Sequence, residues 1–123
     1  MSKRVVLVGH CGPDASYLRL AVGKALNGAS IERADEATEL QPLLDQGVDL
    51  LLVNRQLDWG FQTTSGIDLI RHLRAKYPRL RFMLISNFPE AQREAMSAGA
   101  RPGFGKGQLR HPHVAQLLRD ALE

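Results

Sequence analysis

The sequence has a single cysteine and no long apolar run. Cys11 is the only cysteine among 123 residues, so a disulfide within the chain is excluded. The apolar stretch near the amino terminus is far shorter than a signal peptide or a membrane-spanning helix requires. Low-complexity tracts and repeats at solenoid spacing are also absent. These absences predict a soluble, cytoplasmic protein.

The chain also lacks a strong charge of either sign. It has 16 Lys and Arg against 13 Asp and Glu, which gives a formal net charge of +3. This mild bias is weaker than the charge typical of nucleic-acid-binding domains. The densest basic cluster is interpreted as a solvated helix face that runs into a loop, with nucleic-acid binding as the less favoured alternative. Its members are Arg71, His72, Arg74, Lys76, Arg79 and Arg81.

Two periods of hydrophobicity alternate along the chain. With 44% hydrophobic residues, a chain of this length is the size of one domain with one core, so residues 1–123 are predicted to form a single domain. Short apolar runs bounded by turn residues predict strands that are buried on both faces. The strands are predicted at residues 5–8, 30–33, 50–53, 82–85 and 103–105.

Between these runs, apolar residues recur at three- and four-residue spacing, which predicts amphipathic helices. Ser65, with Asp68 three residues later, predicts a helix start with a side-chain cap. Asp35 is predicted to cap the second helix, which Pro42 is expected to kink or delay. Helices are therefore expected from Pro13, near residues 37–44, after Ser65, at residues 89–98 and from Pro112.

Five strands that alternate with five helices predict an α/β fold with a doubly wound, five-stranded parallel sheet. In such sheets the functional crevice lies beyond the carboxyl ends of the strands. Residues that follow the predicted strands are therefore expected to surround one pocket. They are Gly9, His10, Cys11, Asn54, Ser86, Asn87 and Lys106.

Three segments resemble the receiver domain of two-component response regulators, and the resemblance spans nearly the whole chain. DLLLVN (residues 49–54) stands where that family has an apolar strand ending in a phosphoacceptor aspartate. LISN (84–87) is similar to the strand that ends in a switch serine or threonine, and GARPGFGK (99–106) keeps the spacing from Gly-Ala to a lysine. The resemblance implies a (βα)5, flavodoxin-like fold, with Ser86 as the phosphoryl-sensing hydroxyl and Lys106 as the phosphate-contacting ammonium.

The sequence departs from this family at the positions that carry its chemistry. Asn54 stands at the phosphoacceptor position, and Gly9 and His10 replace the acidic pair after the first strand. An amide is uncharged and its lone pairs are delocalised, so Asn54 is not a nucleophile. Magnesium needs oxygen ligands, usually including carboxylates, and these three residues supply none.

The residues Gly9, His10, Asn54, Ser86 and Lys106 therefore predict a degenerate phosphorylation pocket with no catalysis, metal or cofactor. Lys106 and a titratable His10 are expected to face no acid, so the predicted local charge is neutral to positive. Cys11 is interpreted as a small packing residue at the strand end rather than as a reactive thiol or a metal ligand.

The predicted conformational switch is altered as well. Gly103 occupies the position of the aromatic residue that moves inward on activation in the family, and Phe104 falls on the opposite face of the strand, where it is predicted to be a core residue. Gly107 replaces the proline that usually follows the lysine. The three glycines at 103, 105 and 107 predict a flexible stretch and impaired signalling by this route.

The loop between Asn54 and Gly66 is longer than the family's usual connection and contains Trp59 and Phe61. Exposed aromatic residues near a pocket mouth often anchor a binding partner. The alternative is that Trp59 folds over the pocket or onto the sheet edge. The loop is therefore predicted either to dock a partner or to cap the site.

These observations predict an atypical receiver that is not phosphorylated at the usual position and acts by protein association. The expected partner is a histidine kinase or another signalling protein, with a homodimer through the last two helices as a further expectation and no membrane contact. No effector domain is expected after the last helix, so output is expected from the receiver surface, or from a missing part of a larger protein. The alternatives are phosphorylation on a substitute acid such as Asp58, or sensing of an anion or small ligand by the Gly-rich turn with Lys106 and Ser86.

Overall fold

A computed structural model describes residues 3–122 and contains five strands in one sheet. The strands are β1 (Arg4–Val8), β2 (Ser30–Ala34), β3 (Leu50–Asn54), β4 (Arg81–Ile85) and β5 (Arg101–Phe104). The helices are α1 (Gly12–Ala25), α2 (Ala37–Gln46), α3 (Gly66–Lys76), α4 (Pro89–Ser97) and α5 (Pro112–Ala121), with a short 3-10 helix at Lys106–Gln108.

All strand pairs are parallel, and the order across the sheet is β2-β1-β3-β4-β5. This order confirms the predicted doubly wound α/β fold, because the chain reverses direction across the sheet after β2. β5 begins two residues before the predicted start. Its pairing with β4 shifts in register between Met83 and Ile85, so this edge strand is irregular.

Side chains alternate between two hydrophobic clusters on opposite faces of the sheet. On one face, Val6 and Val8 belong to the cluster that also contains buried residues of α2 and α3. On the other, Val5 and Leu7 belong to the cluster with buried residues of α1 and α5. Phe104 lies in this second cluster and is 2% exposed, which confirms its predicted place in the core.

The helix starts confirm one predicted cap and correct another. Ser65 Oγ accepts a hydrogen bond of 3.2 Å from the backbone amide of Asp68, as predicted. The cap assigned to Asp35 is wrong, because Glu36 is the first flanking residue of α2 and no side chain caps it. Asp35 instead forms an ion pair of 3.0 Å with Arg33.

Pro42 lies inside α2, which runs from Ala37 to Gln46, so of the two expected effects the delayed start does not occur. Helix α1 begins at Gly12, one residue before the predicted Pro13, and Cys11 flanks it. Within residues 3–122, no helix combines the length and the apolar character that a membrane span requires.

Candidate functional site

The carboxyl edge of the sheet brings the predicted pocket residues together. Gly9 and His10 follow β1, Asn54 ends the adjacent β3, and Ser86 follows β4 next to it. Lys106 comes after β5 at the same edge. The parallel topology therefore gathers the five residues as expected, and their contacts decide what the site can do.

The side-chain amide of Asn54 is committed to the backbone. Its Nδ2 donates to the carbonyl oxygen of Gly9 at 3.1 Å and to that of Gln56 at 3.0 Å. Both acceptors are carbonyls, so only the N–H group of an amide satisfies them. A carboxylate in the same position would place a carboxylate oxygen, which has no proton to donate, against these two carbonyl oxygens.

The side chain of Leu57 fills the space beside Gly9 that the Cβ of any other residue at position 9 would occupy. Gly9 has a φ of 75°, and a Cβ added there would overlap with Leu57 Cδ2. Leu57 is 1% exposed, and its amide donates to the carbonyl oxygen of Thr64 at 2.8 Å. The place of an acidic side chain after β1 is thus occupied by a methyl group.

Leu57 was not among the predicted site residues. The available signal was that it is the only aliphatic residue in the polar loop of residues 55–65. That loop leaves the sheet through an antiparallel bridge between Gln56 and Ser65.

His10 is buried and neutral rather than a positive group of the pocket. It is 3% exposed, and its Nε2 donates to the carbonyl oxygen of Leu52 at 2.8 Å. Burial is the main cause that lowers the pKa of His10 to about 4, and the positive charge of Lys106 contributes to it. Among the described residues, nothing hydrogen-bonds to its Nδ1. His10 therefore adds no positive charge to the pocket at neutral pH.

Lys106 does face an acid, contrary to the prediction. Its Nζ lies 2.7 Å from Asp14 Oδ2 on the first turn of α1, and both side chains are about a third exposed or less. Hydrogen bonding to Lys106 and then to the Cys11 thiol lowers the pKa of Asp14. The ion pair makes the pocket nearly neutral.

Cys11 is exposed, so its predicted packing role is wrong.

The arrangement does not fit a magnesium ion. The two residues after β1 offer no oxygen from a side chain, Asn54 presents N–H groups to the backbone, and the carboxylate of Asp14 is held by Lys106. Magnesium favours several oxygen ligands in octahedral geometry. Within residues 3–122, no group of three or more His, Cys, Asp or Glu side chains is arranged to hold a metal.

Gln92 occupies the region of the predicted conformational switch. Its Nε2 donates to the carbonyl oxygens of Leu84 at 2.9 Å and Ser86 at 3.1 Å, and its Oε1 accepts from the amide of Gly103 at 3.2 Å. A side chain at Gly103 would overlap with the Leu84 carbonyl. Gln92 therefore ties α4 to β4 and β5. The Ser86 hydroxyl is turned to the backbone, accepting from the amide of Phe88 at 3.1 Å.

The backbone on both sides of Lys106 is held by contacts with Asn87 and Gln108, and a close contact requires glycine at position 105. A Cβ at Gly105 would overlap with Asn87 Oδ1, and the same oxygen accepts from the amide of Gly107 at 3.2 Å. The amide of Gly105 donates to Gln108 Oε1 at 3.1 Å. The sequence predicted a flexible stretch here, whereas the backbone amides are bonded to neighbouring side chains.

The two aromatic residues of the long loop are placed differently. Trp59 is 68% exposed, so the alternative that it folds over the pocket is wrong. Phe61 is half-buried and packs against the core cluster beneath α2 and α3, and its part in partner docking stays a prediction. Between them, the carbonyl oxygen of Gly60 accepts from the amide of Ala37 at 2.7 Å and so ties the loop to the start of α2.

Comparison with known proteins identifies the family. No protein-family model matches the sequence. The chain is 31% identical over 90 residues to the chemotaxis protein CheY of Pseudomonas aeruginosa, a match that covers 73% of this chain and 69% of that protein. The chain belongs to the receiver-domain family of response regulators. The resemblance seen in the sequence is thereby confirmed.

Solved structures agree on the fold. A signal receiver domain from Colwellia psychrerythraea matches with a TM-score of 0.75 at 13% identity, covering 97% of each chain. A response regulator from Thermotoga maritima matches with a TM-score of 0.75 at 20% identity, covering 99% of this chain and 98% of the other. One from Burkholderia pseudomallei, solved with a phosphorylated aspartic acid, matches with a TM-score of 0.65 at 17% identity and covers 99% of this chain and 67% of the other. At these identities the likeness concerns the receiver fold alone.

Proposed function

We propose that this receiver domain takes no phosphoryl group at residue 54 and acts by association with a protein partner. The observation that carries the proposal is the pair of hydrogen bonds from Asn54 Nδ2 to two backbone carbonyls. They use the donors that distinguish an amide from the carboxylate nucleophile of aspartyl-phosphate chemistry. The local backbone is therefore shaped for the amide.

The surroundings support the same conclusion. Phosphoryl transfer needs cations to neutralise developing negative charge, and magnesium usually supplies this. Here Leu57 takes the space beside Gly9, and the ammonium group of Lys106 is already paired with Asp14. The domain, in this proposal, has no enzymatic activity of its own and holds no cofactor.

The partner is a protein of a signalling pathway in the cytoplasm, with a histidine kinase as the first candidate. Trp59 offers a large exposed aromatic surface in the loop that follows Asn54, the kind of side chain that anchors protein interfaces. A second exposed ring, Phe88, lies beneath the guanidinium of Arg55 at 4.9 Å. A solved receiver with the same fold is described as a beryllofluoride-activated dimer, and a homodimer through α4 and α5 is the second form of association that we propose to test.

The phosphorylation half of the proposal is tested by intact-mass measurement after incubation with acetyl phosphate and magnesium. We expect no added phosphoryl mass on the wild-type chain. The matched variant is Asp58→Asn, because Asp58 is an exposed acid of the same loop. Phosphorylation that Asp58→Asn abolishes would establish the substitute-acid alternative and contradict the proposal.

The association half needs a separate readout. An affinity pull-down with the wild-type domain and with Trp59→Ala should recover a partner only with the wild type, and acetyl phosphate should not change the amount. Sedimentation of the purified domain measures the homodimer independently. Partner recovery that requires acetyl phosphate would count against the proposal, since it would show that the association depends on phosphorylation.

A further inference from the structure

A second concave surface lies at the opposite edge of the sheet, where β3, β4 and β5 begin. We call it the basic groove; its volume is about 860 Å³. It is formed by the end of α3, the following loop and the first residues of β4 and β5. Its charged side chains are Asp49, Arg74, Lys76, Arg79, Arg81 and Arg101.

The groove concentrates the positive charge of the whole domain. Five cationic side chains face one carboxylate, so the lining carries a formal charge of +4, whereas the chain carries +3. The remaining residues therefore sum to −1. Charge gathered on one concave surface raises the local concentration of anionic partners and speeds their association.

Three of these cations have no acidic partner within residues 3–122. Lys76, Arg79 and Arg81 form no ion pair with a described carboxylate. The single acid, Asp49, accepts a hydrogen bond of 2.8 Å from the backbone amide of Arg4, so its carboxylate is already engaged. The charges of Lys76, Arg79 and Arg81 are thus not neutralised by an ion pair within the described residues.

Arg74 forms part of the wall of the groove. Its guanidinium donates to the carbonyl oxygen of Gly99 at 3.0 Å, and a side chain at Gly99 would overlap with that guanidinium. This contact joins the end of α3 to the turn before β5. The groove is therefore preformed rather than created when a ligand binds.

The floor of the groove is apolar and suits a peptide better than a nucleic acid. Leu44 is buried, and Val48 and Leu80 are partly buried and pack against the core. The single aromatic ring, Tyr77, has its face covered by the Lys76 ammonium at 5.9 Å and its hydroxyl bonded to Gln41 at 2.9 Å. Nucleic-acid single strands bind by stacking on free aromatic faces, whereas the Tyr77 ring is partly buried against the core.

We infer that the basic groove binds an acidic, extended segment of a protein partner, with carboxylates on Lys76, Arg79 and Arg81 and an apolar side chain on the floor. The inference does not depend on the proposed function, because the groove lies at the edge of the sheet opposite Asn54. Complementary charge of this kind governs association rate and partner choice.

The test uses the intact domain and a short fluorescein-labelled peptide of Asp, Glu and Leu, with anisotropy as the readout. The groove variant is Lys76→Gln/Arg79→Gln/Arg81→Gln, and the control variant, Lys24→Gln/Arg93→Gln/Arg110→Gln, lowers the net charge equally on other faces. We expect the groove variant to bind about tenfold more weakly than wild type, as the loss of three exposed ionic contacts implies. The control should change affinity by less than about twofold, and added salt should weaken wild-type binding.

Two comparisons make the outcome decisive. Amide NMR signals of residues 76–81 and 99–101 in the wild-type domain should shift with the acidic peptide, and this readout needs no variant to fold. A peptide with Asn and Gln in place of Asp and Glu should not bind. Equal losses in both variants, an absence of binding to the acidic peptide, or tighter binding of a single-stranded oligonucleotide in the groove would each overturn the inference.

Discussion

Asn54 and Gly9 are joined by a hydrogen bond of 3.1 Å from the side-chain Nδ2 of the first to the carbonyl oxygen of the second. The bond links the end of β3 to the residue that follows β1. We expect Asn54→Asp to lower the free energy of unfolding by about 1–3 kcal/mol at neutral pH, because a carboxylate cannot donate to this carbonyl or to that of Gln56. Urea unfolding followed by circular dichroism measures the difference.

Asn54→Ala is the control for this change, since it removes the same donors without adding a negative charge. The Asp variant should be less stable than the Ala variant. The Asp variant should also gain no phosphoryl mass from acetyl phosphate with magnesium, because no acidic residue follows β1. An Asp variant as stable as the wild type would contradict the assigned role of the amide.

The contact between Leu57 and Gly9 predicts a coupled pair of substitutions. Gly9→Ala should cost more than the roughly 1 kcal/mol expected from a positive φ alone, because its Cβ would also overlap with Leu57. Gly28→Ala is the matched control, since Gly28 has a φ of 82° and open space around it. Equilibrium unfolding of both variants separates steric overlap from backbone strain.

Leu57→Ala should relieve part of the penalty at Gly9. The double variant is then expected to be less destabilised than the sum of the two single variants, by about 1 kcal/mol, as is usual for side chains in direct contact. Additive losses would show that Leu57 does not fill the space beside Gly9.

His10 predicts a specific pH dependence of stability. Because burial lowers the pKa of His10 from 6.5 to about 4, the unfolded chain binds more protons than the folded one between these values. The contribution is therefore fully present above pH 6.5 and is lost as the pH falls toward 4, by about 3 kcal/mol in all. His10→Gln keeps a donor for Leu52 and should flatten the profile in this window. Identical profiles for both proteins between these pH values would refute the assignment.

The ion pair between Lys106 and Asp14 predicts that the pocket binds no anion unless Asp14 is removed. Sulfate at tens of millimolar concentration should leave the thermal midpoint of the wild type unchanged and raise that of Asp14→Asn, in which the ammonium is unpaired. The double variant Asp14→Asn/Lys106→Gln should lose this response. A wild-type midpoint that rises in sulfate would favour the anion-sensing alternative.

The two aromatic residues of the loop should contribute differently to the free energy of unfolding. Trp59→Ala should change the free energy of unfolding by no more than about 0.5 kcal/mol, because the ring is exposed. Phe61→Ala should cost about 1–3 kcal/mol, because its ring packs on the core. Circular dichroism is the suitable probe, since Trp59 is the sole tryptophan. Equal costs would mean that the two rings have been assigned to the wrong environments.

The fold could be predicted because its main signals are local. The apolar runs of β1, β3 and β4 and the helical spacings between them are read within a few residues, and parallel pairing follows from their alternation. β5 was misplaced because an edge strand pairs on one side only. It therefore tolerates Arg101 and Pro102, which carry no apolar signal.

The site could be predicted only in part. Topology identified which residues lie at the carboxyl edge, but it does not specify which way a helix turns its side chains. Asp14 reaches Lys106 because of the packing of α1, and Gln92 reaches Gly103 because of the packing of α4. Contacts between residues on different elements have no local signature, and the expectation that Lys106 faces no acid was wrong for this reason.

Gln92 is hydrogen-bonded from a single position on α4 to one backbone group of β4, one of the residue that follows β4, and one of β5. Any sliding of α4 along the sheet would have to break these bonds together, which makes the helix and the two strands behave as one block. Under the proposed function, a partner would therefore bind the same surface of α4 and the two strands before and after an upstream signal.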